Sequence, residues 1–538
     1  MELTPDKYQM LGLALTNLEK NKGEFKKKVV ESTNRFSHRI NDPNLMTDFP
    51  PSLLEKMAVD RSRTYQGPWD VTLQPHVYEG FLEYCPDTEL RRNTYRAYNM
   101  RATNHVGREV NNDLHIEDIR MYRSDQAIAL GFENFGQMSM ETKMAGTVDN
   151  VLSMITSLFN KARTVQSKEM ASLQKFSESR GFDLKLEAWD VPYWRRKQRR
   201  TVFNIDENQL KEYFPFNHVL QGLLELCSEL FGISFEEVTL ENSTTWHPDV
   251  RFFQVIDASG GHLSSFYLDP FKRPGEKLHT AVSAWMLGCR NRSDIAGTKP
   301  LANLVFNFTP PESKEKPSLL TFAEVNLLFQ KFGQALQHLL TTVPYLEASG
   351  LTNIEWDAVE VCSYFLQNWL YEPSILERMS QHYESLLPLS GSSIQDIIGS
   401  RNHMAAYDLC SELYLAHLDM LLHTGKIHWT DLVKELWEMY RPFVLDKYDD
   451  HLCSSTAIIA DVWAAAYYSH LWSRMVAADA FQAFKESEEE ISETGARFRN
   501  TFLSLGGGCH SGEVFRRFRG RDPSPDALHE LCGLNDRD

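Results

Sequence analysis

Apolar residues recur every three to four positions through most of this chain. Residues 5–40 carry Tyr8, Leu11, Leu15, Leu18, Phe25, Val29 and Phe36 at that spacing among many lysines, which predicts a helix. The same period predicts helices over 75–122, 148–178, 206–231, 321–343, 357–385, 391–423, 427–446 and 456–493. One region departs from it. RFFQVIDASGGHLSSFYLDPF (251–271) has two apolar runs around Ser259, Gly260 and Gly261, the pattern of a hairpin. AVSAWMLGC (281–289) and ANLVFNFTP (302–310) are also rich in β-forming residues. The expected class is therefore mostly α, with a small sheet at about 250–310 beside the helix at 321–343.

That helix has the clearest pattern. Val325, Leu328, Phe329, Phe332, Leu336, Leu339, Leu340 and Val343 mark a core face. The other side carries Gln330, Gln334 and Gln337, with Lys331 and His338 beside them. Residues one turn apart lie one above the other, so Gln330 and Gln334 project the same way. A helical His-Glu-x-x-His motif uses this geometry to hold zinc between two imidazoles while the glutamate activates a water. Here the spacing is right and the side chains differ. A neutral carboxamide is a poor zinc ligand, and a lysine charge opposes a dication.

Composition narrows the setting. With 538 residues and 42% hydrophobic content, a large packed core is attainable. A net charge of −17 disfavours nucleic acid as a partner. The eight cysteines form no CxxC pair and sit in apolar contexts, as reduced thiols do. No secretory signal layout and no apolar run of membrane-spanning length is present, so a cytoplasmic protein is expected. WRRKQRR (194–200) reads as solvated helix or loop in preference to a nucleic-acid patch. GGGCHSGEVFRRFRGR (506–521) lacks phosphate-loop spacing and reads as a turn before a helix. Trp246 and Trp285 read as packing aromatics.

The chain resembles the thimet oligopeptidase and oligopeptidase A family of zinc metallopeptidases along nearly its whole length. LLTFAEVNLLFQKFGQALQHLL stands where that family has its His-Glu-Phe-Gly-His helix. Val359-Glu360 resembles the Val-Glu pair that supplies a third zinc ligand, with one apparent insertion before it. GPWDVTLQPHVYEGFL, TKMA, AWDVPYW, WHPDVRFFQV, FYLDPFKRPG, PLANLVFNFTPP and GEVFRRFRGRDPSPDALHELCGL match further family segments. The resemblance implies two helical halves flanking a deep channel, short peptides as ligands, strand-edge pairing with peptide backbone, and zinc as the family cofactor. It also implies a division into 1–125, a partial N-terminal helical region lacking the family's first helices, and 126–538, a peptidase-like domain.

The departures fall on the catalytic positions. Gln330 and Gln334 replace both histidine ligands, Lys331 replaces the general base, and Gln367 replaces an outer glutamate that orients a ligand. Only Glu360 remains of the metal ligands, so no bound cofactor is expected. In AIIADVWAAAYYSHLW (457–472), which resembles the family's transition-state segment, Tyr467 is kept. Ile458, Trp463 and His470 replace a histidine and two tyrosines there. Gly260, Gly261 and His470 are candidates to line a peptide groove. The leading expectation is a catalytically inactive homologue that still binds peptides. Two alternatives stand beside it: an active zinc endopeptidase with a rearranged site drawing on His338, Glu360 and His470, and a regulatory or scaffold protein whose partner is unknown. Charge adds one local expectation: Lys331, or another nearby cation, takes the place of zinc beside Glu360.

Overall fold

The computed structural model describes residues 3–239, 245–277, 284–313, 315–487 and 490–534. The chain forms two compact units, each assembled from separate stretches of sequence. The first contains 1–141, 146–202 and 404–468; the second contains 142–145, 203–403 and 469–538. Position 125 lies within a helix of the first unit. The principal helices, in chain order, are α1 (Pro5–Arg35), α2 (Asp113–Ala129), α3 (Val148–Glu178), α4 (Val191–Phe203), α5 (Phe216–Phe231), α6 (Phe322–Leu339), α7 (Val361–Trp369), α8 (Ala405–Thr424) and α9 (Ser469–Glu486). Among the described residues no helix is long and apolar enough to cross a membrane, and all eight cysteines are free thiols.

Helices form the first unit, with α1 packed on α2 and α3 on α8. The helix expected over 5–40 ends at Arg35, and β1 (Ser37–Ile40) pairs antiparallel with β2 (Trp69–Thr72). That ribbon buries Ile40 and Trp69 in a local core with Phe49, Val71 and Phe81. The basic run is not solvated as expected. It belongs to α4, where Trp194, Arg196 and Gln198 are buried. Arg196 stacks on Tyr84 and pairs with Asp48 at 3.6 Å, and Arg195 pairs with Asp408 at 2.6 Å. Both guanidiniums pair with carboxylates of the same unit.

The second unit holds a five-stranded sheet ordered β3-β4-β5-β7-β6. Its strands are β3 (Ile233–Glu237), β4 (Arg251–Asp257), β5 (His262–Phe271), β6 (Ala284–Arg290) and β7 (Leu301–Phe308). The expected hairpin is β4–β5, and β5 and β7 run parallel while the other neighbours run antiparallel. The first three residues of the 281–289 run lie outside the described residues. β7 alternates half-buried and buried positions, so one face is core. α6 lies against β6 and β7. Phe332 meets Phe235 of β3 and Phe266 of β5 with ring centroids 5.7 Å apart in each case. Phe266 and Phe332 are fully buried, and each such ring contributes roughly 1.5–3 kcal/mol.

Several long helical predictions are broken, and the breaks have causes. Pro86 and Pro373 interrupt 75–122 and 357–385, because proline offers no N–H and disfavours helix just before itself. Met404, at φ +61, separates two helices inside 391–423. Within 456–493 the chain unwinds over 460–468. There the buried Asp419 carboxylate draws the backbone N–H groups of Ala465, Ala466 and Tyr467 at 2.9–3.0 Å. A side chain on α8 thus takes the donors a helix would have used. The glycines of 506–508 form a tight turn before the helix Ser511–Arg519, as their spacing predicts.

Candidate functional site

Thr321 and Glu324 start α6 with reciprocal bonds. The Glu324 N–H donates to the Thr321 hydroxyl at 3.2 Å, and the Thr321 N–H donates to the Glu324 carboxylate at 2.8 Å. Further along the helix, Gly333 allows close approach to α7. An ideal Cβ at 333 would collide with the carbonyl oxygen of Cys362 and sit 2.9 Å from its carbon. Only a glycine leaves room for that backbone. The approach brings the polar face of α6 against the face of α7 that carries Gln367.

There the amides form a directed chain. Gln330 Nε2 donates to Gln367 Oε1 at 3.0 Å, and Gln367 Nε2 donates to Asn326 Oδ1 at 3.0 Å. Asn326 Nδ2 closes the series on the Phe322 carbonyl at 3.0 Å. Gln330 and Gln367 are both half-buried, and each is oriented by its neighbour. The sequence marked Gln330 and Gln367 but missed Asn326. Its signal was present, since Asn326 and Gln330 are one helical turn apart.

Glu360 is the residue just before α7, and His470 is the second residue of α9. Their side chains meet: His470 Nδ1 lies 2.6 Å from Glu360 Oε2, with the Tyr364 hydroxyl donating to the same oxygen at 3.4 Å. Burial pushes the Glu360 carboxyl up. The hydrogen bond and charge of His470 outweigh it, with Lys331 and Tyr364 assisting, and hold the group below its ordinary value. The expected Lys331–Glu360 pairing is therefore corrected in part. The direct partner of Glu360 is His470, while Lys331 acts on it only through space. A histidine wins because its ring nitrogen reaches the carboxylate from the first turn of α9.

His338 and Gln337 are not on the polar face. Both are buried. His338 Nε2 faces the backbone carbonyls of Arg290 and Leu301 at 3.1 and 3.2 Å, so it ties α6 to the ends of β6 and β7. Burial lowers its pKa, with the two carbonyls opposing. This removes His338 from the alternative ligand set. Gln337 donates to the Phe502 carbonyl at 3.4 Å.

The remaining marked residues divide between the units. Gln330, Lys331, Gln334, Glu360, Gln367 and His470 belong to the second unit, whereas Ile458, Trp463 and Tyr467 belong to the first. Ile458 is buried, and Trp463 and Tyr467 are half-buried. Gly260 and Gly261 form the β4–β5 turn. Gly260 has φ +83, and the Gly260 N–H donates to the Asp257 carbonyl at 2.8 Å. Trp246 packs as expected, its ring 5.3 Å from that of Tyr267 between centroids, while remaining half exposed, and its indole N–H donates to the buried Asp269 at 2.9 Å. The role of Asp419 had no signal in the sequence, because its targets lie more than forty positions away.

Comparison with known proteins gives the family of the chain. The model of "Peptidase family M3" matches residues 81–534. The chain belongs to peptidase family M3. Organellar oligopeptidase A of Arabidopsis thaliana is 34% identical, over 96% of this chain and 67% of its own length. Oligopeptidase A of Salmonella typhimurium and that of Escherichia coli are each 33% identical, over 99% of this chain and 79% of their own lengths. Among solved structures, PZ peptidase A bound to an inhibitor aligns with a TM-score of 0.54 at 14% identity, over 99% of this chain and 78% of that one. This last likeness concerns the fold. In this M3 chain, α6 carries the face on which the sequence placed its candidate chemistry.

Proposed function

We propose that this M3 chain binds short peptides and does not hydrolyse them through zinc. The observation that carries the reading is the chemistry of the α6 face. Gln330 is a neutral amide already donating to Gln367, and Lys331 is a cation where a metal-bound water would need a base. Gln334 is a second amide, and the one carboxylate, Glu360, is engaged by His470. This donor set does not fit a zinc ion, which takes imidazole, thiolate or carboxylate ligands. Peptides are the ligand class because the relatives are named oligopeptidases. β6 supports the same reading. It ends the sheet, its residues from Leu287 to Arg290 are exposed, and among the described residues no strand pairs with its outer edge. Such an edge can hydrogen-bond an extended peptide backbone. The eight free thiols accord with a reducing compartment, and we place the protein in the cytosol.

The test uses internally quenched peptides and purified protein, with zinc added or chelated, alongside peptide binding by fluorescence anisotropy. Binding without cleavage in either condition is the expected result. Zinc-dependent cleavage abolished by a chelator would overturn the reading.

A further inference from the structure

We infer that Lys331 and Gln334 form a receptor for a peptide carboxylate, an inference that rests on the peptide-binding reading above. Around them the polar groups of the site are already joined to one another. Gln330 is tied to Gln367, and Gln367 to Asn326. Glu360 Oε2 is shared by His470 and Tyr364. Lys331 and Gln334 are both half-buried, yet among the described residues neither forms a hydrogen bond, and Lys331 forms no ion pair. They are three positions apart on one helix and so project to the same side. Together they offer an ammonium with three donors and a carboxamide N–H, all unused.

A half-buried cation without a partner is unfavourable, and an anion seated on it relieves that cost. The charge environment selects which anion. Lys331 lies near enough to Glu360 to lower its pKa, so Glu360 is near enough to repel a ligand. A dianionic phosphate would meet that repulsion twice over. A planar monoanion with two oxygens matches the site better, with one oxygen for the ammonium and the other for the amide. A peptide supplies such a group either at its C-terminus or on an acidic side chain.

The experiment measures affinity of the chelator-treated full chain for three N-acetylated hexapeptides of alternating alanine and leucine. One carries a free C-terminal acid, one is its carboxamide, and one is a carboxamide with glutamate at its last position. One charge-assisted contact predicts that the acid binds about 10- to 100-fold more tightly than the plain carboxamide. Lys331→Met is expected to bring the ratio to within about threefold, and Lys331→Arg to preserve it. If the glutamate carboxamide binds more tightly than the acid, the receptor stands and the source is a side chain; if it binds like the plain carboxamide, the receptor stands and the source is the C-terminus. Equal affinity for acid and plain carboxamide in the unmodified protein, or a preference surviving Lys331→Met, overturns the inference. Mass spectrometry of the same peptides after incubation with the protein, with zinc added or chelated, separates this from the parent reading. Zinc-dependent cleavage overturns the parent alone, binding without acid preference overturns only the inference, and no binding of any peptide overturns both.

Discussion

Replacing Gly333 with alanine should destabilise the α6–α7 contact, although alanine is the better helix former. An ideal Cβ there falls 2.9 Å from Cys362 C and 3.1 Å from Leu366 Cβ, besides colliding with the Cys362 carbonyl oxygen, where ordinary contact is 3.4–4 Å. The obstacle is helix backbone, so no side-chain rotation relieves it, and the helices must separate. Overpacking of this kind costs about 1–3 kcal/mol, and the propensity gain of alanine offsets about 1 kcal/mol. The net expectation is a loss of up to roughly 2 kcal/mol, felt first at Gln330 and Gln367, whose 3.0 Å bond spans the two helices. Gly12 provides the opposite case on α1. It is exposed, and a Cβ there meets nothing within 4 Å. Gly12→Ala should therefore stabilise α1 by about 0.5–1 kcal/mol. Hydrogen exchange read segment by segment assigns each change to its own unit. Faster exchange across α6 and α7 in Gly333→Ala and slower exchange across α1 in Gly12→Ala are the expected pair. Unchanged or slower exchange at α6 and α7 in Gly333→Ala would refute the close-approach argument.

Other outcomes follow from the same geometry. Gln330→His, Lys331→Glu and Gln334→His together rebuild a His-Glu-x-x-His helix with Glu360 nearby, and elemental analysis should find zinc retained. Adding Gln367→Glu should tighten that zinc by about 10- to 100-fold, since a carboxylate at this position orients the first imidazole. In the first unit, Arg91 and Asp190 are a fully buried pair at 2.6 Å. Arg91→Met should cost about 3–5 kcal/mol in denaturant unfolding, and Arg91→Met with Asp190→Leu should recover much of it. Glu169 accepts the N–H groups of Ala406 and Tyr407, but burial dominates and raises its pKa to about 7. A raised carboxyl favours the protonated folded state, so its contribution is full below about pH 4.3 and is lost as pH rises to about 7. Glu169→Gln should remove that decline, which appears as a flatter stability profile between those two values.

The helical period of α6, the hairpin around Gly260 and the mostly α class were legible because they depend on spacing that a linear chain displays. So was the presence of Gln330, Lys331 and Gln334 at i, i+1 and i+4 on that helix, because residue identity decides whether a side chain can ligate zinc. Prolines at 86 and 373 were legible too, and reading them would have shortened two predicted helices. The helical period placed Gln337 and His338 on the wrong side. α6 is covered by the sheet on one flank and by α7 on another, so its buried arc is wider than one apolar stripe.

What tertiary structure alone decided is pairing. Sequence set Lys331 and Glu360 as opposite charges on neighbouring segments, and their pairing was a fair expectation from that alone. The fold instead brings His470, 110 positions away, to 2.6 Å from the carboxylate and leaves the lysine ammonium unpartnered. Side-chain chemistry travels with the residue, but hydrogen bonds and ion pairs decay within a few ångströms. Which groups meet is therefore set by how α6, α7 and α9 pack, and that packing is recorded in no single stretch of the chain.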